Sequence, residues 1–161
     1  MKIETLAIDG LIPYAMNART HTDAQVGQIA ASIKEFGFTN PVLIDADGGI
    51  IAGHGRVMAA RKLDIDKVPC IRLAHLTETQ RKAYVIVDNR LALSAGWDAE
   101  LLLLEVADLE AADFDLSLLG FELGELDALS PEFEPGTEDD QGKLDEKSPI
   151  TCPSCGHEFH K

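Results

Sequence analysis

Long apolar runs are missing from this chain. The longest, Leu101 to Leu104 with Val106, is interrupted by Glu100, Glu105 and Asp108 and falls short of the roughly 20 apolar residues of a membrane-spanning helix. The start, Met1-Lys2-Ile3-Glu4, lacks the basic and then apolar segments of a secretory signal, so a cytosolic location and no membrane partner are expected. Cysteine is scarce: three in 161 residues, two of them in one Cys-x-x-Cys pair, which excludes a disulfide framework. Basic residues are scarce in the second half. Residues 1–90 hold 11 Lys and Arg against 10 Asp and Glu, whereas residues 91–161 hold three against 18. An acidic half repels phosphate backbones, which weakens any sequence-independent grip on duplex DNA.

What remains is enough for one ordinary domain with a tail. Hydrophobic residues make up 45% of the chain, so a buried core is expected. Ile3 to Ile8 reads as a short strand, and residues 11–22, with Pro13, Asn17 and Thr20, as a loop. Thr22 or Asp23 caps a helix whose inner face is Val26, Ile29, Ala30, Ile33 and Phe36, closed by Gly37 with a left-handed cap. The runs Val42-Leu43-Ile44 and Ile50-Ile51-Ala52 flank an Asp-Gly turn and predict a hairpin. A helix follows over 53–63 with Val57, Ala60 and Leu63 inward, then a strand over 68–73, in which Pro69 predicts an edge or first position. Thr77 and Gln80 form a capping box for a helix to about Leu93, and Asp98 caps another through Ala107. Shorter helical pieces are expected at 116–119 and 122–129. The organisation predicted is a domain over 1–130, an acidic flexible linker over 131–150 and a Cys/His tail over 151–161.

Chemistry concentrates at Gly53-His54-Gly55-Arg56, where a strand runs into a helix. The glycines permit tight turns and close approach, and the free N–H groups of a helix start favour an anion. Arg56 adds a charge-assisted contact, and His54 a donor or an acid/base. The bland alternative is a tight junction with Arg56 solvating a helix face; the strand–glycine–helix order favours the anion cradle.

The run Gly49-Ile50-Ile51-Ala52-Gly53-His54-Gly55-Arg56-Val57-Met58-Ala59-Ala60 resembles the signature box of the ParB/sulfiredoxin superfamily. Asn17-Ala18-Arg19-Thr20-His21 is similar to that family's first box. Gln80 to Tyr84, Asp88 to Leu93 and Gly96-Trp97-Asp98 resemble phage-type ParB-like domains, found alone or fused to DNA methyltransferases and often called ParB-like nucleases. The resemblance covers roughly residues 3–130. It implies an α+β fold, a small mixed sheet with helices, followed by a helical acidic extension. It also implies a nucleotide, CTP or ATP with Mg, held by Asn17, Arg19, Gly53, His54, Gly55, Arg56, Gln80 and Arg81. Partition proteins carry Glu where His54 stands, and sulfiredoxins carry a cysteine at a turn that has none here, which excludes sulfiredoxin chemistry. No helix-turn-helix reader and no methyltransferase motif is recognised in the sequence.

His54 with Asp88 is the candidate catalytic pair. Gln80, Tyr84, Asp88 and Leu91 share a helical stripe that either orients a ligand or serves structure alone. His21 reads as a loop residue, Trp97 as a core lid and Cys70 as a buried small hydrophobe. In the tail, Cys152-Pro153-Ser154-Cys155-Gly156 is half a zinc site, which His157 and His160, or a second chain in a homodimer, would complete. Three functions stay open: a module binding nucleotide or nucleic-acid phosphate beside DNA-modification or partition machinery, including a methyltransferase; a nuclease or phosphotransferase using the same turn; and an acidic protein-docking module.

Overall fold

The computed structural model describes residues 1–122, 124–129, 150–151, 153–155 and 158–159. It divides into one unit over Met1–Leu129 and a second over Ser130–Lys161.

The first unit is α+β, as expected. Strands β1 (Ile3–Ala7), β2 (Val42–Ile44), β3 (Ile50–Ala52) and β4 (Lys67–Arg72) form one sheet in the order β1-β4-β2-β3. The sheet is mixed: β1–β4 and β2–β3 are antiparallel, and β2–β4 is parallel. The β2–β3 hairpin turns at Gly48, whose φ of 89° requires glycine. Pro69 corrects the edge-strand expectation, because β4 is an interior strand. The β2 ladder begins at Val42 opposite Cys70, one residue past Pro69, so at the proline only β1 is a registered partner.

Of helices α1 (Asp23–Phe36), α2 (His54–Lys62) and α3 (Glu78–Ala92), α2 and α3 pack on the sheet and α1 packs on α2. Adjacent Ile50 and Ile51 point to opposite faces. Ile50 joins Val42, Ile44, Val68 and Val57 of α2 in one core cluster, and Ile51 meets Leu73 and Val85 of α3 in another. That is why β3 is apolar throughout. Ala59 and Ala60 are fully buried: the small side chain of Ala59 lets α1 lie close on α2 through Val26 and Ala30, and Ala60 packs in the cluster of Ile50 and Val57. Thr22 and Thr77 cap their helices from the side chain, and Thr77 with Gln80 forms the capping box in full.

Between residues 86 and 129 no described residue is buried. Helix α4 (Ala99–Ala111), capped by Asp98, runs four residues past the expected end at Ala107 because no breaker intervenes before Asp113, which sits at φ 57°. Of the helix expected over 122–129, only the turn Asp127–Leu129 is helical, and Gly124 at φ 83° precedes it. Phe36 is half-exposed rather than inward and stacks on Phe114, with ring centroids 6.2 Å apart. Trp97 is 71% exposed, which corrects the expectation of a core lid: its aromatic neighbour is Phe121, and no core lies beneath residues 91–98.

In the second unit, strands β5 (Ile150–Thr151) and β6 (Glu158–Phe159) pair antiparallel around the turn at Pro153-Ser154-Cys155. Cys155 is exposed and free. The other ligands expected for zinc, Cys152, His157 and His160, lie outside the described residues, as does the expected linker up to Pro149.

Candidate functional site

The site starts with Gly53. At φ 101° and ψ 22° it occupies the left-handed region, turning β3 sharply into α2. It caps α2 without any side-chain oxygen, whereas Thr22, Thr77 and Asp98 cap their helices with one. The first intrahelical bond of α2 runs from Val57 N–H to Gly53 C=O, so the amides of His54, Gly55 and Arg56 lie ahead of the ladder. These amides and the helix dipole favour an anion.

Those residues open into a cavity of about 210 Å³ shared with Asn17, Arg19, His21, Asp88 and Asn89. The loop over 11–22 reaches it because Ile12 bridges Gly49, accepting from Ile50 N–H at 2.8 Å and donating to Gly48 C=O at 3.0 Å. Asn17 then folds the loop locally. Its Oδ1 accepts from Arg19 N–H and its Nδ2 donates to Arg19 C=O, both at 3.2 Å. From the other side, α3 supplies Asp88 and Asn89, and the Asn89 amide donates to Val85 C=O at 2.7 Å.

The guanidinium of Arg56 lies against Gly53, where a Cβ would come within 3.0 Å of Nη2, and it donates to Asn40 C=O at 2.8 Å. Burial lowers the Arg56 pKa and the Asp88 carboxylate raises it; the group stays charged. His54 Nε2 accepts from Tyr14 N–H at 3.2 Å. A backbone amide can only donate, so Nε2 carries the lone pair and Nδ1 the proton. Burial, then the neighbouring His21, lowers the His54 pKa and favours this neutral form. His21 is held by Gln25, with Nδ1 and Oε1 2.9 Å apart.

The structure therefore brings together Asn17, Arg19, Gly53, His54, Gly55, Arg56 and Asp88, all named from sequence. It adds His21 and Asn89. No spacing pattern marks either; only the hairpin tether and the entry angle of α3 place them. Gln80 and Arg81 do not line the cavity. Gln80 accepts from Thr77 N–H in the capping box, while Arg81 pairs with Asp45 at 3.6 Å and lies over the Tyr14 ring at 5.0 Å. Gly55 also differs from its expected part. A Cβ there would meet His21 Cε1 and Ile29 Cδ1 at 3.0 Å, so its missing side chain serves the packing of α2 against α1. Among the described residues, no group of three or more His, Cys, Asp or Glu could hold a metal ion.

Residues 1–89 match the family model described as the ParB N-terminal domain. The chain belongs to this family. A relative, the ParB-like nuclease domain-containing protein YnaK of Escherichia coli, is 57% identical over 82 residues, covering 51% of this chain and 94% of that one. Nucleoid occlusion protein of Bacillus cereus is 30% identical over 93 residues, which span 55% of this chain and 32% of that protein. The ParB N-terminal fold is also seen in the Caulobacter crescentus chromosome-partitioning protein ParB, solved with CTP-gamma-S. It superposes with a TM-score of 0.62 at 19% identity, covering 78% of this chain and 71% of that one. Residues 100–153 match the ParB-methyltransferase HTH domain, which corrects the reading that no helix-turn-helix segment was present. The absence of Lys and Arg between residues 91 and 142 removed the basic face by which such a reader is usually recognised. No helix among the described residues is long and apolar enough to cross a membrane.

Proposed function

We propose that this ParB-like domain binds a nucleoside triphosphate, CTP or ATP, with its phosphates at the start of α2. The observation that carries this reading is the uncapped N-terminus of α2 opening into a cavity walled by Arg19 and Arg56. The neutral His54 ring, with its proton on Nδ1, adds a donor, and Asp88 suits a ribose hydroxyl better than a phosphate. At about 210 Å³ the cavity suits phosphate groups. An adjoining apolar groove of about 390 Å³, lined by Tyr14, Met16, Ile86 and Leu93 and sharing Asn17, Arg19 and Asn89, offers room for sugar and base. CTP is the first candidate because the Caulobacter relative was solved with its analogue.

A magnesium site built by the protein does not fit these residues. Among the described residues Asp88 is the one carboxylate that lines the cavity, and His54 Nε2 is engaged by Tyr14, so any Mg would arrive on the phosphates. The same two facts weigh against nuclease chemistry, which ordinarily uses a carboxylate-held metal. The match of residues 100–153 supports a place beside DNA-modification machinery, with a methyltransferase as partner. A nucleotide panel, with and without Mg, read by thermal shift and checked for turnover, tests the reading. Stabilisation by one nucleotide without hydrolysis of DNA supports it. Turnover lost on His54→Ala at unchanged affinity would establish the enzyme instead.

A further inference from the structure

Helix α4 carries an exposed apolar face, and among the described residues its main packing partner is the turn over Leu116–Leu119. Its 13 residues include four consecutive leucines, yet none is buried, and Leu101 and Leu104 are 62% and 65% exposed. Between α4 and the turn over Leu116–Leu119 runs a cleft of about 400 Å³, lined by Trp97, Leu101, Leu102, Val106, Leu109 and Phe121. Its charged edges are Asp98 and Glu105. Glu100, Asp108, Glu110, Asp113 and Asp115 lie nearby in sequence, and no Lys or Arg occurs between residues 91 and 142.

These observations set the chemistry of an occupant. Duplex DNA is disfavoured, because a phosphate backbone would meet carboxylates and no counter-charge. An acidic partner segment is disfavoured for the same reason. A basic, amphipathic helix satisfies both features, with its apolar stripe in the cleft and its Lys and Arg on the acidic rim.

We propose that the α4 cleft is a docking groove for a basic amphipathic helix of a partner protein. The segment that matches an HTH model thus works as a protein-binding surface. The groove is independent of the nucleotide cavity. It contains Trp97, which is the single tryptophan of the chain and so a built-in reporter.

The test titrates the full-length protein with three peptides of about 14 residues, long enough to span the ~20 Å of α4. The first has Leu at helical i, i+3, i+4, i+7 spacing and Lys elsewhere. The second replaces Lys by Glu, and the third replaces Leu by Ser. None contains an aromatic residue. The Leu/Lys peptide is expected to shift Trp97 emission to the blue, saturably and less so at high salt, and to bind at least about tenfold tighter than either control. Leu101→Asp, at an exposed position, should abolish the shift with helix content unchanged. Glu105→Lys, at an exposed position on the rim, should weaken it.

Equal binding of the Leu/Glu peptide, or of the Ser/Lys peptide, would overturn the proposal, the latter by showing an acidic surface alone. So would an emission unaffected by any of them at millimolar concentration. A free protein that sediments as a dimer with Trp97 already shielded would assign the cleft to a second copy and overturn it equally.

Discussion

The backbone N–H of Tyr14 donates to Nε2 of His54 at 3.2 Å, across 40 residues of chain. This bond joins the loop ahead of α1 to the start of α2 and holds His54 neutral. Burial and His21 lower its folded pKa below the ordinary 6.5. Between that lower value and about 6.5 the unfolded chain binds more protons than the folded one. The stability from this group is therefore complete above about pH 6.5 and lost as the pH falls through the folded pKa. His54→Gln keeps an acceptor for Tyr14 without titrating. Between about pH 7.5 and about pH 5.5, Tm is expected to fall less in this variant than in the wild type. Parallel Tm profiles would show that His54 titrates alike in both states.

Arg56 is expected to dominate ligand affinity. Arg56→Ala removes a charge-assisted contact worth about 1.5–3 kcal/mol, a loss of roughly 10- to 150-fold in Kd. Asn40, whose carbonyl also loses its donor, is exposed, so water replaces the bond and stability falls by less than about 1 kcal/mol. Arg56→Lys keeps the charge but loses the planar fork and should fall in between. Calorimetric titration with the best nucleotide of the panel checks the order; equal affinity in all three proteins removes the phosphate reading.

Gly53 and Gly55 should fail differently. Gly53→Ala forces a side chain into φ 101° and sets its Cβ 3.0 Å from Arg56 Nη2, so Tm and affinity should fall together, with about 1–3 kcal/mol lost from stability. Gly55→Val drives against His21 and Ile29 and should destabilise more, since Gly55 is buried between α2 and the groups packed on it. Chemical denaturation of the two variants gives the ranking. A Gly55→Val protein as stable as the wild type would contradict this packing.

The second unit should be dispensable for folding of the first. Truncation after Leu129 removes no residue of the three core clusters and is expected to melt cooperatively near the parent's Tm. In the full chain, Cys152 and Cys155 are proposed to hold zinc, with His157 and His160 or a second chain completing the site. Metal analysis should find zinc that Cys152→Ser loses; about half an equivalent per chain would mark a shared site. Metal-free protein from zinc-supplemented cells would leave the pair without that duty.

Local decisions were legible in the residues alone. Thr22, Thr77 and Asp98 cap the helices they were expected to cap, the Asp-Gly turn makes the β2–β3 hairpin, and Gly53 to Arg56 forms a strand-to-helix turn. Each depends on bonds or dihedrals within four residues, so side-chain type and spacing suffice. The tertiary structure decided who shares the cavity. His21 enters it because Ile12 ties its loop to the β2–β3 hairpin at Gly49 and Ile50, and Asp88 because Val85 anchors α3 on Ile51. Gln80 and Arg81 are turned to a helix cap and an Asp45 pair. Trp97 is left outside because burial depends on how much apolar surface converges on a point, a sum over elements distant in the chain that no local pattern encodes.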